Sequence, residues 1–540
     1  MTNRSLLSFA TFLFGVSAVA QHNFIPLDSR LNDRIPMTGT HRSIWPARLD
    51  ENNMFEVSKA LDSSLEAHGW WDKDMLRRKL SDEHLIDMGG EDWSLFVDPI
   101  FTMHGGFEFT SDGLEGLSYN TRGGHVEGRL GSQFTFETTL IESQIFVPQY
   151  LNSYIENYGV VPGEGIAKEF FTNGWDHRWS SGSLSYTPSK FFNFSVGQGK
   201  FFYGEGYRSL LLSDNALNYP YFRIETTFGP FKYVNLWTQM YDIRESVNLN
   251  PGNRRKWIST HYLSWNVTER LNISLYEAVV YGSDTLNGGL DASFFNPVIL
   301  YRPIEDQMDS RLGNVLLGMQ SSYHFPGGHN VYGQFLIEEF VFDALVEMNG
   351  SWLNKFGTQL GYSYTHNFGP HRVNALVEWN RIRPFVYTHR NVMMNYAHFN
   401  QPIAHPLGAD VNEWILRLRW ERGRWSALAH FSTANAGLAN TINGTYYGEG
   451  VDLWTPYTSR SRVDGFSTND QPSVRITNAR FRLAWMAQTA WKMELFGEWG
   501  YRSGPMYPAV AIDGVAPPTT SSNWITFGVR TQLYRTYSDI

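Results

Sequence analysis

The sequence predicts an all-β membrane protein: an antiparallel outer-membrane β-barrel of about 18 strands with a small α-helical N-terminal head in the periplasm. Three observations predict it. The composition fits neither a soluble enzyme nor a helical membrane protein, hydrophobicity alternates with period two over most of the chain, and the links between strands alternate in length. The 540 residues carry 44 Lys+Arg against 53 Asp+Glu, a formal charge of −9, and no cysteine. Charged residues make up 18%, below the roughly 25% of soluble domains, while aromatics reach 16%, with 19 Trp, 28 Tyr and 37 Phe. A mean hydropathy of −0.34 excludes a helical bundle, whose apolar spans would carry it above zero. The absence of cysteine excludes a disulfide scaffold, thiolate metal sites and a lipidated N-terminal Cys. Mild acidity argues against nucleic acid as a partner.

Residues 1–20 read as a secretory signal peptide. Arg4 gives the positive start, Leu6 to Val16 the apolar stretch, and Ala18-Val19-Ala20 the small residues before cleavage between Ala20 and Gln21. The head is expected over 21–95. There Val57, Leu61 and Leu65 recur every four residues up to Gly69, and Asp72 caps a second helix with Met75, Leu76 and Leu80, closed by Gly89-Gly90. The barrel is expected over 96–540. Trp414, Leu416, Leu418 and Trp420 alternate with Ile415, Arg417 and Arg419, and Ala479, Phe481, Leu483 and Trp485 with Arg480, Arg482 and Ala484. One face is apolar with aromatic ends and the other polar or small, the dyad of a wall between lipid and a wet lumen.

Strands are expected near 97–110, 122–130, 133–146, 178–187, 191–200, 221–228, 231–241, 257–267, 271–281, 313–324, 329–339, 353–366, 371–383, 411–421, 424–432, 474–487, 491–501 and 523–536. Turns such as Gly229-Pro230, Phe368-Gly369-Pro370 and Arg422-Gly423 alternate with long links near 147–177, 201–220, 282–312, 384–410, 433–473 and 502–522. Short turns on the periplasmic side and long loops outside mark an outer-membrane barrel. An even strand count leaves both barrel ends on the periplasmic side, so the head lies there or enters the lumen.

Three stretches resemble a known family. Gly199 to Ala216, with Gly204-Glu205-Gly206, Ser209-Leu210 and Ser213-Asp214-Asn215-Ala216, resembles the Wzi capsule-assembly outer-membrane proteins. Phe294-Phe295-Asn296-Pro297-Val298-Ile299-Leu300-Tyr301-Arg302-Pro303, together with Phe24-Ile25-Pro26-Leu27 in the head, is similar to the Bacteroidetes branch that includes gliding-motility proteins of the RemB type. The resemblance implies an eighteen-stranded barrel with a helical periplasmic head in a Gram-negative outer membrane, and a lectin-like role holding capsular polysaccharide. Glu205 stands where that family tends to carry proline, and none of its sugar-contact residues is carried over.

Sugar recognition uses aromatic faces for the C–H surface of a pyranose and planar hydrogen-bonding groups for its hydroxyls. The long links offer Tyr446, Tyr447, Trp454, Tyr457 and Arg460, then Tyr387 and Arg390, then Tyr301 and Arg302, and finally Trp175. Arginine beside aromatics suits an acidic polymer, because guanidinium binds carboxylate in bidentate fashion. The competing reading has these side chains packing the loops into a lid. Inward arginines at 372, 417, 419, 480 and 482 are expected to pair with carboxylates such as Glu378 and Glu413, and Gly204 and Gly206 to serve a loop needing positive φ. There is no G-x-S-x-G elbow and no H-E-x-x-H. The pairs His324/His329 and His366/His371 lack the further ligands zinc requires. The expectation is a protein that is no enzyme and uses no metal or cofactor. Its partners are outer-membrane lipid, a surface polysaccharide and, through the head, secretion or motility machinery, with no nucleic acid. The function reading is a polysaccharide-binding anchor; the alternatives are an accessory barrel of a secretion or gliding-motility complex and an anion-selective porin.

Overall fold

The computed structural model describes residues 39–47, 79–81, 83–111, 113–244, 254–282, 291–298, 300–301, 303, 313–339, 343, 349–470, 472–531 and 537–540. The leader with Ala20 and Gln21, the 24–27 stretch, the helix-patterned residues 57–65 and most of 72–80, and Arg302 lie outside the described residues.

Eighteen antiparallel strands close into one barrel. They are β1 Trp93–Thr110, β2 Gly113–Leu130, β3 Phe134–Phe146, β4 Gly174–Ser189, β5 Phe192–Gly199, β6 Tyr219–Phe228, β7 Phe231–Asp242, β8 Arg254–Asn266 and β9 Leu271–Tyr281. The second half is β10 Gly313–Phe325, β11 His329–Glu339, β12 Lys355–Phe368, β13 His371–Ile382, β14 Val411–Arg422, β15 Trp425–Gly437, β16 Ser473–Gln488, β17 Met493–Gly504 and β18 Thr520–Thr531. Each pairs with its chain neighbour, and β18 closes on β1 through Trp524↔Glu108 to Arg530↔Thr102. Closure removes the edges that an open sheet would leave unpaired in lipid.

The alternation of side chains gives the wall its two faces. On β14, Trp414, Leu416 and Leu418 are about half exposed toward the lipid side, while Glu413 and Ile415 point inward and are buried. Trp420, Trp425 and Trp485 cluster on the outward face near the short-turn end, as an interfacial aromatic girdle does. Tight turns carry positive-φ glycines where two strands reverse, at Gly229, Gly369 and Gly423. One link breaks the alternation. Of the residues left between the expected strands 97–110 and 122–130, 113–121 extend β2, so β1 and β2 pair up to Thr110↔Gly113, where Thr110 Oγ1 donates to the Gly113 carbonyl at 3.1 Å. The first half of β2, Gly113-Leu114-Glu115-Gly116-Leu117-Ser118-Tyr119-Asn120-Thr121, has no clean alternation in its sequence, and pairing with β1 makes it a strand.

The lumen departs further from expectation. Between β6 and β14 it holds an apolar core rather than a wet channel, with Val234, Leu236, Tyr262, Tyr276, Leu316 and Leu336 pointing inward onto Leu210, Leu211, Tyr387, Met394 and Ile403. The long links supply those inner residues. Helix α1, Gln149–Tyr158, from the β3–β4 link adds Tyr150 and Tyr154. From the N-terminal side, residues 39–47 enter the barrel, where His41 Nδ1 stands 2.9 Å from Ser264 Oγ of β8. Nearer the barrel's start, Ile86–Gly89 pairs with the first residues of β1.

Candidate functional site

The link between β5 and β6 turns into the lumen instead of outward. Phe202–Tyr203 forms a two-stranded ribbon with Ile44–Trp45, and wall side chains hold the residues beyond it. Gln334 of β11 donates to the Tyr203 carbonyl at 2.9 Å and accepts from the Leu210 amide at 2.8 Å. Ser209 Oγ donates to the Tyr203 carbonyl at 2.6 Å, and Asn215 Nδ2 to the Pro402 carbonyl at 2.9 Å. Ser213 is buried and its amide bonds the Ile403 carbonyl. The five motif residues are therefore the scaffold of a plug. Gly204 and Gly206 are not at positive φ, which corrects the reason expected for them. A Cβ on Gly206 would stand 2.1 Å from Glu378 Oε2, and one on Gly204 2.9 Å from Gln334 Nε2. Close approach of backbone to wall is what demands glycine here.

Arg208 is the keystone of this plug. Its guanidinium lies 2.9 Å from both Glu413 and Asp539 and is essentially unexposed. Burial opposes the charge, but Asp539 and Glu413 outweigh it and hold the Arg208 pKa well above its ordinary value. Glu378 accepts the amides of Tyr207 at 2.8 Å and Arg208 at 3.0 Å, and the Tyr332 hydroxyl at 2.7 Å. His405 closes on Glu413 at 2.8 Å. Segment Tyr537–Ile540 also lies in the lumen: the Tyr537 hydroxyl donates to Asp214 at 2.7 Å, and Tyr150 donates to the Ser538 carbonyl at 2.8 Å. The expected wall pairing is thus corrected. Glu378 and Glu413 face the plug, while Arg480 and Arg482 share Glu498 and Arg530 pairs with Glu494. Beneath the ribbon, a cavity of about 60 Å³ is lined by Arg42, Glu205, Tyr207, Arg417 and Arg419, room for a few waters.

The sequence-nominated loop residues fall into two groups. Tyr387 is fully buried, with its hydroxyl on the Leu210 carbonyl at 2.9 Å. Tyr301 is buried against His261, ring centroids 4.2 Å apart. Trp175 packs with Ile145, Ile155 and Val161 and donates to Asn152 at 2.7 Å. All three are buried and packed against protein in this structure, with the Tyr387 hydroxyl and the Trp175 indole N–H bonded within the chain.

The second group meets at the extracellular end. Tyr457 lies 4.7 Å from the ring of Trp352, which precedes β12. The Arg460 guanidinium sits 4.1 Å over the Trp352 ring, with Nη1 on the Tyr457 carbonyl at 2.9 Å. Lys355 Nζ stands 4.5 Å from the Tyr457 ring, and His389 packs edge-on to it. Trp352, Tyr457 and Arg460 are partly exposed, and Arg390 beside them is exposed. Burial and Glu339 push the Tyr457 phenol up, against the pull of Arg390 and Arg460. It stays a neutral hydroxyl, able to donate or accept. Arg460 Nε is buried without a hydrogen-bond partner among the described residues. Trp454 instead rests on Tyr158 of α1, 5.4 Å between centroids, and ties the loop to that helix. Tyr446 is exposed with its hydroxyl on Asp452 at 2.8 Å, and Tyr447 is partly exposed beside it. The cluster offers two tilted rings and two cations, Arg390 and Arg460, over Lys355, which is buried and paired with Glu339 at 3.4 Å. Sequence reading missed Trp352 and Lys355, whose signal is only an aromatic and a lysine at a strand start, and α1, whose Tyr150-Tyr154-Tyr158 spacing ending at Gly159 was legible.

A closed eighteen-stranded barrel with one apolar, aromatic-ended outer face defines the class: a Gram-negative outer-membrane β-barrel. No family model and no curated protein matches the chain. Among solved structures it is similar to Wzi of Escherichia coli, described as an outer-membrane protein involved in group 1 capsule assembly and a carbohydrate-binding β-barrel. The identity is 12%, the TM-score 0.53, and the match covers 94% of this chain and 99% of that one. OprD of Pseudomonas aeruginosa matches with 9% identity and a TM-score of 0.40 over 82% of this chain and 96% of that one. A BenF-like porin from Pseudomonas fluorescens Pf-5 matches with 7% identity and a TM-score of 0.41 over 82% and 99%. The first of these likenesses establishes a Wzi-like barrel fold.

Proposed function

We propose that this chain is a non-enzymatic surface anchor that binds a cell-surface polysaccharide at its extracellular loops. The observation that carries the reading is the cluster of Trp352, Tyr457, Arg390 and Arg460, raised on loops above a lumen filled by the plug. Partly exposed rings give apolar faces for pyranose C–H groups, and the surrounding cations suit a polymer bearing carboxylates. The carbohydrate-binding barrel of like fold supports the same reading. The deciding test pairs a deletion strain with purified protein. Loss of the surface polysaccharide layer together with direct binding of the extracted polymer is expected; an intact layer and no binding would refute it.

The resemblance of 294–303 to the gliding-motility branch favours a second reading, an accessory barrel of a secretion or motility complex. Retained capsule with lost secretion on deletion would select it. A diffusion porin is disfavoured by the core inside the barrel, since a solute path there requires displacing buried apolar side chains. Stable single-channel conductance in bilayers would reinstate it.

A further inference from the structure

Four outward side chains stand in a row across β13, β14, β15 and β16 at the extracellular end of the wall. The register pairs Arg381 with Asn412, Asn412 with Asn435, and Asn435 with Arg475. Cross-strand partners share a face, and Asn412 lies on the same face of β14 as Trp414, Leu416 and Leu418, the lipid side. From Trp420 of the periplasmic girdle up to Asn412, β14 runs about 27 Å at ~3.4 Å per residue, which a strand tilt of about 40° reduces to about 20 Å of height. The row therefore sits at the outer-leaflet interface, where lipid headgroups lie.

Below it, down to the Trp420 girdle, the outward positions of these four strands are all uncharged. Trp379 and Trp414 come first, with Trp379 Nε1 donating to Asn412 Oδ1 at 2.8 Å, and then Leu416, Phe431 and Phe481. The first charges met on leaving the membrane are thus two arginines, and the row holds no acid. Each is steered by one bond. Arg475 Nε donates to Asn435 Oδ1 at 3.4 Å, and Arg381 Nε to Thr468 Oγ1 at 3.2 Å. Thr468 adjoins Asn469, whose Nδ2 bonds the Asn435 carbonyl at 3.0 Å, so both guanidinium groups lean toward the middle of the row. Both arginines are exposed, and among the described residues neither is in an ion pair; Asp470, next along the chain from Asn469, is held by Arg462 at 3.3 Å. The two terminal nitrogens of each fork are left to a ligand.

Guanidinium binds phosphate through paired N–H donors. Three inter-strand spacings of ~4.8 Å put the Cα atoms of Arg381 and Arg475 about 14 Å apart, a separation that suits two phosphates at opposite ends of one headgroup. We propose that this row is a binding site for a bisphosphorylated disaccharide glycolipid of the outer leaflet, each arginine taking one phosphate. Asn412 and Asn435, whose Oδ1 atoms are already bonded, keep their amide N–H donors for the sugar hydroxyls between. The acyl chains lie on Trp414, Leu416 and Phe481. A free anion would use the arginines but not that apolar wall, and the position of the row on the lipid side selects the lipid. The site is separate from the extracellular cluster and does not depend on sugar binding there.

The test titrates the purified full chain in detergent with lipid A, which carries the two phosphates and no polysaccharide, and counts bound lipid by native mass spectrometry. A saturable adduct of one lipid is expected. It should weaken at least several-fold when the lipid is dephosphorylated, when phosphatidylglycerol replaces it, or in an Arg381→Gln/Arg475→Gln variant, with each single variant in between. The double variant should stay heat-modifiable and bind the extracted polysaccharide as the parent does, which separates this site from the loop cluster. An adduct undiminished in the double variant, or equal binding of dephosphorylated lipid or of phosphatidylglycerol, would overturn the proposal. Displacement of the lipid by inorganic phosphate at matched concentration would also overturn it, by making the row a free-anion site.

Discussion

The outward face of β14 and the link 201–218 are both rich in leucine, yet they meet different surroundings. Leu416 and Leu418 face fluid lipid, which refills any space a smaller side chain leaves. Leu210, Leu211 and Leu212 are wholly buried inside the barrel against fixed neighbours, including Gly318, whose missing side chain makes room for Leu211. The wall tolerates loss of volume and the plug does not. A barrel with such an interior behaves as a folded domain wrapped in a membrane-spanning shell, which leaves the extracellular loops as the surface where binding is expected.

The largest effect that sharpens this contrast falls on the keystone. Arg208→Met leaves the buried Glu413 and Asp539 without their guanidinium, each with only a histidine beside it, His405 and His430, and breaking such a buried ion pair from one side costs about 3–5 kcal/mol. Thermal unfolding in detergent should show a large drop in melting temperature, with conductance appearing in bilayers; an unchanged melting curve would mean the plug contributes little. Next comes a matched pair. Leu211→Ala is expected to cost about 3–5 kcal/mol, transfer plus cavity, whereas Leu416→Ala keeps only the transfer part, about 2 kcal/mol. Equal losses in chemical denaturation would break the comparison. Gly206→Ala drives a methyl onto Glu378 and should cost about 1–3 kcal/mol.

The smallest effect is one of pH. Asp410, which accepts the Asn469 amide at 2.6 Å where two external loops meet, is buried, and that burial pushes its carboxyl up to about 7. A folded-state pKa raised above the unfolded value means the neutral form is favoured in the fold. The stabilisation is therefore full below about pH 4 and is lost as pH rises through 7. Asp410→Asn, which keeps the acceptor and suits the positive φ of 55° there, should flatten stability between pH 5 and 8. A melting profile with the same slope as the parent would contradict that assignment.

Most of the wall was legible in the sequence because each strand separates two unlike surroundings. That contrast writes a period of two strong enough to place Leu271–Tyr281 and His329–Glu339 to the residue. Where one side is neither lipid nor core, the signal fades, as in residues 113–121 at the start of β2. The plug was not legible as a plug. Leu210-Leu211-Leu212 is a run without a period, since irregular chain has no face, and nothing local says that it folds inward. Tyr387, Tyr301 and Trp175 were nominated as ligand residues because aromatics in loops serve packing and binding alike, and only their tertiary neighbours separate the two. For the same reason Trp352 escaped notice: its partners Tyr457 and Arg460 lie far along the chain.

Equilibrium binding of the extracted surface polysaccharide tests whether the extracellular aromatic and cationic cluster holds polymer above the filled lumen. Wild-type protein would be compared with a Trp352→Ala/Arg460→Ala variant whose barrel remains heat-modifiable. Saturable binding is expected that weakens at least tenfold in the variant, about 1.4 kcal/mol or more, and that weakens further as salt rises. Equal affinity of the two proteins at low salt would contradict it.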